Sequence, residues 1–238
     1  MIDPETIALL KACSAATLTT QLFKRGLRNV FMQGVRPFSS IKTPMVGEAF
    51  TVRYIPARED IDHVGVFADP EHPQRKAIET VPAGQVLVSD CRRDARAASG
   101  GSILLTRLKV RGVAGFVSDG GLRDSPEIAG FELPVYCGGP AAPLNLVLHH
   151  ASDLNVPVGC GGVPVYPGDV IFGDAEGVVV IPQHLAVEVA RDAIEQEQLE
   201  AFVLEEVRKG APVIGTYPPS PAVKARYDAW RAKRGPKG

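Results

Sequence analysis

Apolar and polar positions alternate with two different periods along the chain, and the switches between those periods outline its elements. Asp3-Pro4-Glu5 supplies an N-cap residue, a proline at the first helical position and an acid in the first turn, so a helix is expected there. A second helix is expected from near Ser14 to Arg25, with Gly26 as its stop. From Gly47 to Ile55, the residues Phe50, Val52 and Tyr54 alternate with polar or small neighbours, which predicts a half-buried strand. Acid- and proline-rich residues then lead through Asp69-Pro70-Glu71 into a short helix ending near Val81.

The centre of the chain is more regular. Gly84 to Asp90 (GQVLVSD) is a short apolar run closed by an acid. A helical segment follows, with Ile103, Leu104 and Leu108 recurring along one face. Val113 to Asp119 (VAGFVSD) is again strand-like and again ends in an acid, and Leu133 to Cys137 (LPVYC) follows. This β–α–β alternation with short connections predicts α/β layering. His149-His150 come after an apparent helix face at Leu144, Val147 and Leu148, so they are expected to pack or lie exposed rather than bind metal. From Asn155 to Pro182, Gly and Pro punctuate short apolar runs, which predicts a β-rich region of short strands. A long amphipathic helix is expected from Gln183 to about Lys209, closed by Gly210. Residues 1–217 are expected to form one domain, and residues 218–238 an extended arm with a frayed end.

Composition narrows the function classes. Lys and Arg number 26 against 27 Asp and Glu, a formal charge of -1, so no global basic field points to nucleic acid. The N-terminus lacks the basic, apolar and small-residue succession of a secretory signal. No apolar run approaches the roughly 20 residues that span a bilayer, so no membrane partner is expected. Cys13, Cys91, Cys137 and Cys160 are too widely spaced for a C-x-x-C unit, which argues for reduced thiols and a cytoplasmic location.

Candidate chemistry concentrates in GVAGFVSDGGLRDSPEIAGFELP, Gly112 to Pro134. A buried strand ends at Asp119, and Gly120-Gly121 can take positive φ and let a ligand approach the backbone. Asp119 could cap that turn or stand behind a metal ligand. Arg123 offers a planar fork matched to a carboxylate, and Asp124 beside it can hold a hard cation such as Mg²⁺. Together they could grip a small 2-oxo acid from two sides; a surface turn with a salt bridge is the competing reading. Ser99-Gly100-Gly101-Ser102-Ile103-Leu104-Leu105 opens a helix whose free N–H groups could bind the same carboxylate, or could form an ordinary cap. The charged run Asp90 to Arg96 could supply arginines to a second carboxylate or form a solvated ion-pair cluster. Gly159-Cys160-Gly161-Gly162 lacks the third glycine of a dinucleotide loop and reads as a tight turn.

GVAGFVSDGGLRDSPEI, the upstream GGSILL and the downstream PGDVIFGDAEGVVVIP resemble the family that includes 4-hydroxy-4-methyl-2-oxoglutarate aldolase and the ribonuclease regulator RraA. The likeness runs from about Val46 to Pro218. It implies a compact layered α/β/β domain of the swivelling β/β/α type, a homotrimer or dimer of trimers, and active sites between subunits. It also implies a class II, divalent-metal-dependent lyase. Such an enzyme cleaves a 4-hydroxy-2-oxo acid to pyruvate plus a 2-oxo acid, with oxaloacetate decarboxylation as a related activity. Carried over by position, Arg123 and the segment Gly101, Ser102, Ile103, Leu104 bind substrate, while Asp124 holds Mg²⁺ or Mn²⁺. A glutamate from a neighbouring subunit would complete the metal's water shell; Glu195, Glu197, Glu200, Glu205 and Glu206 are the candidates. The family pattern is an acid, twenty intervening residues, then Arg-Asp, and here Ser102 occupies the acid's position. A serine can hydrogen-bond a water but cannot take up a proton at neutral pH, so the proton-transfer apparatus differs from the pattern. The alternative the resemblance implies is a non-catalytic regulator that binds a ribonuclease or another protein.

Overall fold

The Asp3 cap read from the sequence forms in the computed structural model, which describes residues 2–234, and Ser14 caps the second helix. The Asp3 carboxylate accepts from the Thr6 N–H at 2.8 Å and the Ser14 hydroxyl from the Thr17 N–H at 3.2 Å. These bonds satisfy donors that a helix start leaves open, and α1 (Pro4–Lys11) and α2 (Ala15–Lys24) begin beside them.

The frame is one curled sheet. After the two-residue β1 (Arg36–Pro37), the long β2 (Met45–Pro56) runs through its centre. The crossover helix α3 (Pro73–Thr80) leads to β3 (Val86–Asp90). Then come β4 (Ala98–Gly100), α4 (Ser102–Val110), β5 (Gly115–Ser118), β6 (Gly121–Leu122), the single-turn α5 (Ser125–Ile128), β7 (Val135–Cys137) and β8 (Gly139–Pro140). The later strands are β9 (His149–Leu154), β10 (Val170–Gly173) and β11 (Val178–Ile181), followed by α6 (Ala186–Arg208) and α7 (Pro221–Arg234). Strand order is β1-β7-β5-β3-β2-β10-β11, with β9 also on β2. The β2, β3, β5 and β7 steps are parallel and the β10 and β11 steps antiparallel. A separate parallel sheet of β4, β6 and β8 carries the candidate site.

Alternation within the strands assigns the two faces. Leu87, Phe116 and Val135 pack with Ile78 of α3 and Leu105 and Leu108 of α4. Val170, Phe172, Val179 and Ile181 pack under α1, α2 and α6. The opposite residues of both halves, among them Val86, Val88, Val117, Ile171 and Val180, meet in one shared cluster. Strands buried on both faces read as near-continuous apolar runs, which is why GQVLVSD lacks a polar side.

Two expectations need correction. The segment expected to be an extended arm is instead the helix α7: Val223, Tyr227 and Trp230 recur at helical spacing and pack on Phe202 and Val203 of α6. The Trp230 indole N–H also donates to Glu205 at 3.0 Å. Residues 235–238, expected to fray, lie outside the described residues. His149 and His150 are not on a helix but open β9, where His149 is fully buried with its Nδ1 3.2 Å from Arg92. Among the described residues no helix is long and apolar enough to cross a membrane.

Candidate active site

The site is built where β4 and β6 run side by side and both chains turn outward. The Arg123 N–H donates to the Gly100 carbonyl at 3.2 Å, which brings the Arg123-Asp124 pair against the start of α4. Gly101 is the N-cap of α4 and provides no side-chain acceptor, so that role passes to Asp124, whose Oδ2 accepts from the Ser102 N–H at 2.9 Å. First-turn N–H groups have no partner inside a helix. With Ser102 engaged by Asp124, those of Ile103 and Leu104 are the ones left to a ligand.

Asp124 occupies a left-handed conformation, φ 62°, ψ 35°. This conformation is rare for a residue with a Cβ, and Asp and Asn are among the few that tolerate it. It is the N-cap of α5 yet makes no side-chain cap there, because the carboxylate is turned to α4 instead. The Ser102 N–H and the Arg123 guanidinium hold the Asp124 carboxyl below the usual carboxylate range, so it is ionised at neutral pH. Its Oδ1 lies 3.5 Å from Arg123 Nε, too long for a strong charge-assisted bond, and both side chains are partly open to solvent. The salt-bridged turn therefore exists, but loosely, and both groups keep free capacity.

Gly101 is required by distance. A Cβ there would lie 2.5 Å from Asp124 Oδ2 and 2.8 Å from Arg123 Cγ, both inside any real contact. Gly101→Ala is accordingly expected to displace Asp124, and overpacking costs about 1–3 kcal/mol of stability. Denaturant titration with circular dichroism checks this; an unchanged stability contradicts it.

Gly101, Ile103, Leu104, Arg123 and Asp124 share one cleft of about 210 Å³. Ser102 does not line it; the residue is buried, with its N–H committed to Asp124. The cleft also draws on Phe67, Gln74, Arg75, Leu144 and Asn145, which sequence reasoning missed. Arg75 belongs to a helix with no motif of its own. Asn145 carried the only readable signal, as a lone amide in the apolar run AAPLNLVL.

Other candidates fall elsewhere. Arg92, Arg93 and Arg96 do not line the cleft, and Arg96 is paired with Asp94. The Asp119 carboxylate ties three turns together, accepting from the N–H groups of Cys91, Arg93 and Gly161 at 2.6, 3.0 and 3.0 Å. Burial pushes its carboxyl up to about 6 against the pull of those donors. Gly120 and Gly121 do not take positive φ; they are glycines because a Cβ would fall 2.7 Å from Cys91 Cβ or 2.5 Å from Ala141 Cβ. The five candidate glutamates on α6 all have partners within the chain: Glu195 with Arg231, Glu197 with Ser14, Glu200 with Tyr217, Glu205 with Trp230 and Glu206 with Arg226.

A metal at this site would have one protein carboxylate. Among the described residues no three His, Cys, Asp or Glu side chains converge to hold an ion. That donor set does not suit Zn²⁺, which takes three or four protein ligands. It fits Mg²⁺, a hard ion that keeps several waters and takes one or two carboxylates plus substrate oxygens.

This chain is similar to known proteins in sequence and in fold. The RraA-like family model, described as Aldolase/RraA, matches residues 15–180, starting and ending earlier than the resemblance drawn from the motifs. A Halalkalibacterium halodurans protein, by name a candidate 4-hydroxy-4-methyl-2-oxoglutarate aldolase, is 40% identical over 108 residues, 45% of this chain and 51% of that protein. The matched stretch spans about half the length of the curated relatives compared first. Streptomyces coelicolor RraAS2, described as an unusual member of the RNase ES inhibitor RraA protein family, is 30% identical with a TM-score of 0.74, covering 84% of this chain and 96% of its own. An uncharacterized Pseudomonas syringae protein is 25% identical with a TM-score of 0.76, covering 91% and 98%.

Proposed function

This chain belongs to the RraA-like, Aldolase/RraA family, and from that premise we propose that it is a divalent-metal-dependent carbon–carbon lyase releasing pyruvate from a 4-hydroxy-2-oxo acid. The observation that carries this is the convergence of Arg123, Asp124 and the open N–H groups of Ile103 and Leu104 at the start of α4 on one cleft. Substrates resembling 4-hydroxy-4-methyl-2-oxoglutarate suit the site, and oxaloacetate decarboxylation is a plausible second activity because it passes through the same pyruvate enolate.

Asp124 would hold the Mg²⁺ or Mn²⁺, which when bound supplies Lewis-acid polarisation of the 2-oxo group. Arg123 binds the C1 carboxylate with its planar fork, and the Ile103 and Leu104 N–H groups add partial positive charge at the same end. When the C3–C4 bond breaks, negative charge grows on the pyruvate fragment, and these fixed donors stabilise it without reorganising. Leu104, Leu144 and Phe67 give the cleft apolar walls, which strengthen each of those interactions by thinning the water around them. Ile103 lines the same cleft and is 82% exposed, so the cleft is open to solvent along that edge.

Purified protein mixed with Mg²⁺ and 4-hydroxy-4-methyl-2-oxoglutarate or oxaloacetate should release pyruvate, followed with a coupled dehydrogenase, and chelation should stop it. No metal-dependent release from either substrate sinks the lyase reading. Ser102→Asp restores an acid at the first position of α4, where the helix dipole favours a negative charge. It is expected to raise turnover by about tenfold or more, within the range of general acid–base catalysis; unchanged or lower turnover argues against proton transfer as the limiting step. The second reading, a regulator that binds a ribonuclease, is favoured by that same serine and by the likeness to RraAS2. It predicts no pyruvate release from the wild type or from Ser102→Asp.

A further inference from the structure

Arg75 sits on α3, with its guanidinium carbon 4.3 Å from the centroid of the Phe67 ring. Its side chain is partly buried, and desolvation lowers its pKa from the ordinary arginine value. Among the described residues no acid forms an ion pair with it, whereas neighbouring Lys76 is paired with Glu71 and Arg107 on α4 with Glu79. A cation withdrawn from water without an anion is costly unless something else supplies the charge. Arg75 lines the same cleft as Arg123, so one cleft holds two guanidinium groups.

A second, independent observation lies across from it in sequence. Asn145, 5% exposed, lines this cleft, and its Nδ2 has no hydrogen-bond partner among the described residues. Buried polar atoms are nearly always paired, so an amide donor left open beside a cleft is available to a ligand acceptor. Gln74, next to Arg75, is anchored by its Nε2 donating to the Ser99 carbonyl at 2.8 Å, which ties this end of α3 to β4. Leu104 and Leu144 add the apolar surface against which a short carbon chain would lie.

We propose that Arg75 and Asn145 form a distal anion subsite that takes the second carboxylate of a 2-oxo dicarboxylic acid, while Arg123 takes its C1 carboxylate. The proposal rests on reading the cleft as a 2-oxo acid site, and it assigns to these two residues the preference for diacids with the second carboxylate at about C5 over monoacids. The Arg75 fork and the Asn145 amide donate; the distal carboxylate accepts. No bond is made or broken at this end, so the subsite acts on selectivity.

Calorimetric titration in Mg²⁺ with 2-oxoglutarate and with 2-oxobutyrate tests it, since the two share the 2-oxo acid end and differ in the distal carboxylate. Wild-type protein is expected to prefer 2-oxoglutarate. Arg75→Met keeps the stem that packs on Phe67 and is expected to lose about 30-fold or more of that preference, the lower end of what truncating a charged pair costs. Asn145→Ala is the second variant and should lower the same ratio, while Arg123→Ala weakens both acids. An undiminished preference in both Arg75→Met and Asn145→Ala, equal losses for both acids, or a wild type that binds neither overturns the subsite. Pyruvate release by the wild type is scored separately. If the preference depends on Arg75 but no pyruvate appears, the subsite stands and the lyase reading falls. If pyruvate is released and the preference ignores Arg75, the reverse holds.

Discussion

Asp124→Ala is expected to abolish metal-dependent pyruvate release, with activity down at least about a thousandfold. A bound metal contributes several kcal/mol of transition-state stabilisation, and each ~1.4 kcal/mol is tenfold in rate. Among the described residues Asp124 is the only acidic side chain lining the cleft, so no neighbour in the chain substitutes for it. The substitution also leaves the Ser102 N–H without its acceptor at the start of α4. Asp124→Asn separates the two effects, because an amide oxygen can still accept from Ser102 but is a poor ligand for a hard cation. Both variants should lose activity, and only the alanine should lose measurable stability, about 1 kcal/mol by denaturant titration. Retained Mg²⁺-dependent activity in either variant would place the metal elsewhere.

Arg123→Ala is expected to act on affinity. Its guanidinium is the group placed to bind the C1 carboxylate, and removing one partner of such a charged pair costs about 2–5 kcal/mol. That corresponds to roughly 30-fold or more in kcat/KM, appearing chiefly as a higher KM for the 2-oxo acid. Arg123 packs against Gly101 through its stem and lies half open to solvent, so the change should leave the fold intact. Steady-state kinetics on the purified variant, with Tm as the control, decide it. A KM equal to that of the wild type would mean that the carboxylate binds at another cation, and Arg75 is the other one in the cleft.

Legibility in the sequence followed sequence distance. Elements whose signal is local are readable: the Asp3 cap, the second helix start near Ser14, the alternation along β2, the Gly210 stop of α6 and the glycine-rich approach to Arg123 all act over a few residues. The arm beyond Tyr217 was misread because Pro218, Pro219 and Pro221 hide a helix start, although Pro221 stands at a position where proline is tolerated. Its amphipathic face makes sense only once Phe202 of α6 is there to receive it. The candidate site divides in the same way. Arg123 and Asp124 stood out as adjacent residues after a strand, and the family likeness set their weight. Arg75 and Asn145, seventy residues apart, carry no shared motif; the crossover of α3 against α4 and the return of the chain after β8 put them on one cleft. Gly120 and Gly121 show the converse. Their presence was legible but their reason was not, since close packing against Cys91 and Ala141 depends on chain segments far away in sequence.

The most direct measurement is a crystal structure of the protein soaked with Mn²⁺ and pyruvate, with anomalous scattering used to locate the metal. An anomalous peak within coordination distance of an Asp124 carboxylate oxygen, with the pyruvate carboxylate on the Arg123 guanidinium and the start of α4, is the predicted result. Metal bound away from Asp124, or pyruvate bound away from Arg123, would contradict the account.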